Sequence, residues 1–346
     1  MTSRPIPPLR VLHPNHGVHD PSTATPSRRA GSVRRTSSID MLRPGGLQSA
    51  LHLVGIARDL VTGDDGAARV ASGATLGMEI DFLGGRTITR MDTDPADETL
   101  QGLVGTSASV GFRGRLDEVA PHLRRAREPL HLLLDDVPGT TLISGNSLSA
   151  AGALRDGVRT GYIPAADQCA GFVSGGTLMT SFETVGASPL VTGPQAPAIE
   201  DTGDPEGWHR LPTLPEHGMR RRRRIDVYRC DTGPREEARY GVDAWFRDTH
   251  VDADGLETIV HEYHLDATFD GATGRVLSSI ATPRVLPWQE CPGAVASASR
   301  ITGLTLDELH LRVRRDLRGT STCTHLNDLL RSLADAAALA EMLGAA

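Results

Sequence analysis

The sequence predicts an α+β protein made of two tandem degenerate repeats, each an antiparallel sheet followed by C-terminal helices. Three observations predict it. The chain of 346 residues is long enough for two ordinary domains. It is similar to itself at a fixed offset. Within the better-defined copy, the pattern of apolar residues passes from strand-like to helix-like.

The self-similarity has two blocks. Val33 to Met41 aligns without gaps to Met219 to Val227, sharing Arg34/Arg220, Arg35/Arg221, Ile39/Ile225 and Asp40/Asp226. At an offset of 189 positions, Arg58-Asp59 then pairs with Arg247-Asp248, Asp65-Gly66 with Asp254-Gly255, Leu76 with Leu265, Asp81 with Asp270, and Gly85-Arg86 with Gly274-Arg275. Chance would supply about two or three identities over such a stretch, fewer than these eight.

Each element follows from local chemistry. Residues 1–31 are rich in Pro, Ser, His and Arg and are expected to form a disordered arm. Residues 32–143 make the first repeat, expected to be a scaffold copy. Residues 144–217, rich in Gly, Pro, Ser and Thr, form a connecting segment or lid; apolar islands such as Ala170 to Val173 favour packing over a free linker. Residues 218–346 make the second repeat, with the candidate site and a C-terminal helix. There Tyr240–Asp248 and Glu257–Phe269 read as strands joined at Asp254-Gly255, and a turn at Asp270-Gly271 precedes a strand from Arg275 to Ile280. Thr305 and Glu308 form a capping box ahead of the stripe Leu306, Leu309, Val313 and Leu317, and Gly319 can end that helix. A last helix presents Leu326, Leu329, Leu330, Leu333 and Ala337.

Composition excludes several chemistries. All 36 basic residues are arginine, so Schiff-base chemistry, lysine-anchored pyridoxal phosphate and a phosphate-loop lysine are ruled out. With no dinucleotide fingerprint in the sequence, a nicotinamide cofactor is not expected. The net charge of −7 argues against a nucleic-acid footprint over the whole surface. Four widely spaced cysteines, no apolar leader and no long apolar window lead to the expectation of a cytoplasmic protein without a membrane span. Oligomeric state is not legible.

Aligning the copies shows where they differ. His261 and Glu262 face Ser72 and Gly73; Trp288, Glu290 and Cys291 lie in an insertion of the second copy; and Cys323-Thr-His325 has no cysteine opposite it. Glu290-Cys291-Pro292, followed by Cys323-Thr-His325-Leu326 and preceded by His261-Glu262, resembles the bacterial family of uncharacterised proteins called domain of unknown function 2889, over about Met219 to Ala336. The resemblance implies candidate positions and no mechanism. Shorter members carry His-Asp where this chain has His261-Glu262.

Four readings of the candidates stand. Cys291, Cys323, His325 and His261 could bind zinc, if a metal is present, since thiolate and imidazole are its usual ligands. Cys323 could be a nucleophile at a helix N-terminus with a histidine as base. His261, Glu262 and His264 could be acid/base groups in a pocket lined by Trp288, although strand alternation sends Glu262 and His264 to one face and His261 and Tyr263 to the other. The cysteines and histidines could also be purely structural. Arg222 and Arg224, without counterparts in the first copy, are candidates to bind an anionic small molecule, against the alternative of a salt-bridged strand. Asp135 and Asp136, ahead of Val137-Pro138-Gly139, read as a solvated turn, against the alternatives of a cation site or an acid/base pair. Together these lead to the expectation of an enzyme acting on a small, possibly anionic, organic substrate through catalytic Cys323, His325, His261 and Glu262. The rival is a binding or assembly module.

Overall fold

A computed structural model describes residues 17–153, 165–186, 188–189, 193–200, 203–230 and 238–344. Its centre is one antiparallel sheet of eight strands: β1 (Ser32–Leu42), β2 (Leu51–Thr62), β3 (Ala68–Asp81), β4 (Thr87–Asp94), β5 (Met219–Arg229), β6 (Arg239–Val251), β7 (Glu257–Asp270) and β8 (Val276–Val285). Their spatial order is β4-β3-β2-β1-β5-β6-β7-β8, so the first strands of the two halves meet at the middle. There Arg34 lies opposite Asp226 and Arg220 opposite Asp40. The facing pairs close as two bidentate ion pairs, with Nε to carboxylate distances of 2.6 Å and 2.5 Å.

Helices follow each set of strands: α1 (Phe112–Val119), α2 (Pro121–Ala126), α3 (Pro129–Ile143), α4 (Gly145–Ala150) and α5 (Thr177–Val185) after β4, then α6 (Leu309–Asp316), α7 (Thr324–Ser332) and α8 (Ala336–Met342) after β8. The Thr305/Glu308 capping box is present and opens the turn that leads into α6. No helix among the described residues is long and apolar enough to cross a membrane.

Strand alternation gives the sheet two different faces. One face carries Ile39, Met41, Leu53 and Leu76 in the first half and Ile225, Val227, Phe246 and Leu265 in the second. Helix α3 covers β1, β2 and β3, α8 spans β1 and β5, and α7 covers β6 and β7. The opposite face of the central strands is covered by extended chain. Residues 17–31, expected to belong to a disordered arm, pack here instead: Ser22 bonds Glu262 and Arg247, and Thr25 accepts from the Trp208 indole at 2.8 Å. Trp208, Ile199 and Trp245 form a small core on this side. Part of the connecting segment is therefore packed against the sheet; residues 154–164, 187, 190–192 and 201–202 of it, and residues 1–16 of the arm, lie outside the described residues.

The arginine run in β5 is buried on both faces. Arg221 and Arg223 point toward the helices, while Arg220, Arg222 and Arg224 point toward the extended chain. Each is matched by carboxylates: Arg220 by Asp40, Arg221 by Asp248, Asp136 and Asp328, Arg222 by Glu200 and Glu257, Arg223 by Asp136, and Arg224 by Asp226 and Asp243. Charges taken out of water survive only when paired and hydrogen-bonded, and the planar guanidinium fork suits that role better than an ammonium. Asp135 and Asp136 do not form the solvated turn expected. They lie inside α3, which continues through Pro138, and their carboxylates are fixed by Arg113, Arg331, Arg221 and Arg223.

Candidate functional site

The site begins with a register irregularity. Between β6 and β7 the pairing runs Asp248 to His261 and then Thr249 to Ile259, leaving Val260 as an extra residue. Such a bulge bends its strand and re-aims the neighbouring side chain. The same irregularity occurs between β2 and β3, where Asp59 pairs with Ser72 and Leu60 with Val70. In the first half Arg35 forks onto Asp59, and the Ser72 hydroxyl donates to Asp59 at 2.7 Å. In the second half Arg221 forks onto Asp248 at 2.7 and 2.9 Å, and His261 stands where Ser72 stood, its Nδ1 3.5 Å from the carboxylate.

Helix α7 adds the second imidazole. Cys323 is its N-cap residue, so His325 falls in the first turn above the sheet. The rings of His325 and His261 stack with centroids 3.7 Å apart and planes 22° from parallel, and Phe246 lies under His325 at 6.4 Å. Burial, together with the neighbouring His261, depresses the His325 pKa to about 3, so this imidazole is neutral at physiological pH. Burial alone would raise the Asp248 carboxyl, but Arg221 and the contact with His261 outweigh it and hold Asp248 well below the usual carboxylate range. One donor atom from each of Asp248, His261 and His325 lies within 4.8 Å of the others.

The other candidates are placed elsewhere. The Cys323 side chain turns into the core toward Tyr263 and Cys169. Burial, added to by Cys169, pushes its thiol up to about 12, although backbone N–H groups of Leu326 and His325 and the Tyr263 hydroxyl favour the thiolate. The helix N-terminus is therefore outweighed by desolvation. Burial also pushes the Cys291 thiol well up. Neither Cys291 nor Cys323 joins the two histidines within metal-binding distance; the group that does converge has Asp248 in their place.

Glu262 is on the opposite face of the sheet from His261. It is fully buried, where it binds Arg247 at 2.8 Å and accepts from the Trp245 indole and the Ser22 amide. Trp288 is buried against Gly171, where a Cβ would stand 2.9 Å from the indole and 3.0 Å from the Cys291 sulfur. Arg222 and Arg224 are sealed beneath the extended chain with their carboxylates. One member of the convergent group, Asp248, and the arginine that clamps it, Arg221, were not among the sequence candidates. The signal for Asp248 and Arg221 was available, because Arg35/Arg221 and Asp59/Asp248 stand at matched positions in the self-alignment of the sequence.

The molecule is thus an α+β sheet protein whose two halves carry matched Arg–Asp forks, one of them beside a stacked histidine pair. The family described as Protein of unknown function (DUF2889) matches residues 219–339, the segment that carries Asp248, His261 and His325. No curated protein and no solved structure matches the chain.

Proposed function

We propose that the protein is an enzyme acting on a small organic molecule by proton transfer, with its reaction centre at Asp248, His261 and His325. The observation that carries this reading is the stacked imidazole pair beside a carboxylate that Arg221 clamps. Asp248 stands 3.5 Å from Nδ1 of His261, beyond hydrogen-bond contact, and in this reading shortens that approach during reaction, so that Nδ1 carries the proton and Nε2 acts as the base. His325 is the neutral partner, stacked on His261. Cys323 and Glu262 are structural in this reading, the first at the start of the helix that presents His325, the second as the buried counter-ion of Arg247.

The test compares wild type with His261→Gln and His325→Gln on panels of small carboxylic esters, thioesters and phosphate esters. Turnover should fall by about two to four orders of magnitude in either variant. Turnover that survives both substitutions would remove the reading in favour of a binding or assembly module.

A second reading, zinc held by the same three side chains, is favoured by their mutual distance and by the neutrality of His325. Elemental analysis that finds zinc in wild type and loses it in His325→Gln would select it.

The same proposal includes an origin by duplication. It is supported by the mirrored strand order, the reciprocal Arg34/Asp226 and Arg220/Asp40 pairs, and the bulge beside Asp59 repeated beside Asp248. In it one copy became scaffold and the other gained the histidines. The wide spacing of the four cysteines supports a reducing, cytoplasmic setting.

A further inference from the structure

A second group of ligand-type side chains lies between the two halves, away from the histidine pair. His131 belongs to α3, His310 to α6, and Asp335 to the single turn, Leu333–Asp335, that joins α7 to α8. One donor atom from each lies within 4.8 Å of the others. All three residues are at least 95% buried. Each also leaves a buried polar atom without a partner: Nδ1 of His131, Nε2 of His310 and Oδ1 of Asp335. Three such orphans in one cluster is the pattern a folded protein avoids unless something fills the space between them, because an unsatisfied buried polar group costs about as much as a lost hydrogen bond or more.

The surroundings indicate what the filler is. Both rings are kept neutral by burial, so each offers a lone pair rather than a second proton. They meet edge to face, with centroids 4.8 Å apart and planes 86° from parallel, so they approach a common point from different directions. Arg35 is already committed: its Nε and Nη2 go to Asp59, while Nη1 is shared between Oδ2 of Asp335 and the Arg127 carbonyl. Asp335 thus has Oδ2 held by Arg35, with Arg127 also nearby, while its Oδ1 is the oxygen left without a partner. A carboxylate oxygen held by an arginine while the other faces inward is also the usual outer support of a ligating carboxylate. A cleft of about 400 Å³ is lined by Arg35, Arg127 and Glu128, next to the cluster but without its three side chains in the lining.

We propose that His131, His310 and Asp335 bind a divalent transition ion, zinc by ligand type, with a water molecule as fourth ligand. The ion ties α3 of the first half to α6 and the Leu333–Asp335 turn of the second, so it is a structural cross-link and independent of the proton-transfer centre.

The experiment strips the full-length protein with a chelator and reconstitutes it with zinc or with cobalt(II). Wild type and His325→Gln should each take up about one equivalent, and Asp335→Asn should lose it. His310→Cys supplies the positive control: it substitutes another zinc ligand, should keep the ion, and should add a thiolate-to-cobalt charge-transfer band that wild type lacks. That band marks His310 as a ligand even if Asp335→Asn fails to fold. Reconstituted wild type that binds no ion overturns the proposal. So does an ion that persists in Asp335→Asn, or cobalt in His310→Cys without the new band. Loss of the ion in His325→Gln alone would assign it to the other group instead.

Discussion

Acidification should reveal the extended chain that covers the sheet, through His209. This ring is buried on the side of the sheet away from the helices, with Nδ1 2.9 Å from the Thr36 hydroxyl and Nε2 2.8 Å from that of Ser38. Burial, with Arg58 and Arg220 nearby, lowers its pKa from 6.5 to about 4. The unfolded chain takes up this proton near pH 6.5 and the folded chain only near pH 4. The contribution of His209 to stability is therefore full above pH 6.5 and is lost as pH falls through that window. At about 1.4 kcal/mol per pH unit, it costs about 2 kcal/mol by pH 5 and about 3 kcal/mol by pH 4. Urea unfolding at pH 7.5, 6 and 5 on wild type and His209→Gln measures this. Glutamine keeps a donor and an acceptor between the two hydroxyls but does not titrate. His250, also lowered to about 4 by burial, contributes equally to both proteins and cancels in the comparison. The stability lost between pH 7.5 and 5 should be about 2 kcal/mol smaller in the variant. Equal losses in the two proteins would refute the assignment of a buried, neutral His209.

Other outcomes follow from the buried charges and thiols. Arg221→Met leaves Asp248, Asp136 and Asp328 without their shared partner and should destabilise the fold by about 3 to 5 kcal/mol in denaturant unfolding. Gly139→Ala places a Cβ 2.7 Å from Arg221 Nη1 and Asp328 Oδ2, so it should cost about 1 to 3 kcal/mol by the same measurement. With Ellman's reagent, the native protein should present one fast thiol, the exposed Cys230, and all four only after unfolding; fast labelling of Cys323 would contradict its burial.

Much of the fold was legible because strand and turn chemistry is local. Asp254-Gly255 and the capping box at Thr305 and Glu308 act over a few residues, and the structure has them where the pattern placed them. The α3 segment was misread for a physical reason: Pro138 and Gly139 normally end a helix, but here Gly139 is needed for close approach to Arg221 and Asp328, and the tertiary contact overrides the local preference. Strand alternation correctly separated His261 from Glu262. It could not show that Arg222 and Arg224 would be covered, because that depends on chain far away in sequence. The His131, His310 and Asp335 group was invisible for the same reason, its members meeting only when the helices of the two halves pack.

Long-range ¹H–¹⁵N correlation spectra of the histidine rings test the proton-transfer centre most directly. The account predicts that His261 carries its proton on Nδ1, facing Asp248, with Nε2 free, and that His325 stays neutral on acidification until pH approaches 3. A His261 protonated on Nε2 at neutral pH, or a His325 that titrates near 6.5 like a solvated imidazole, would contradict it.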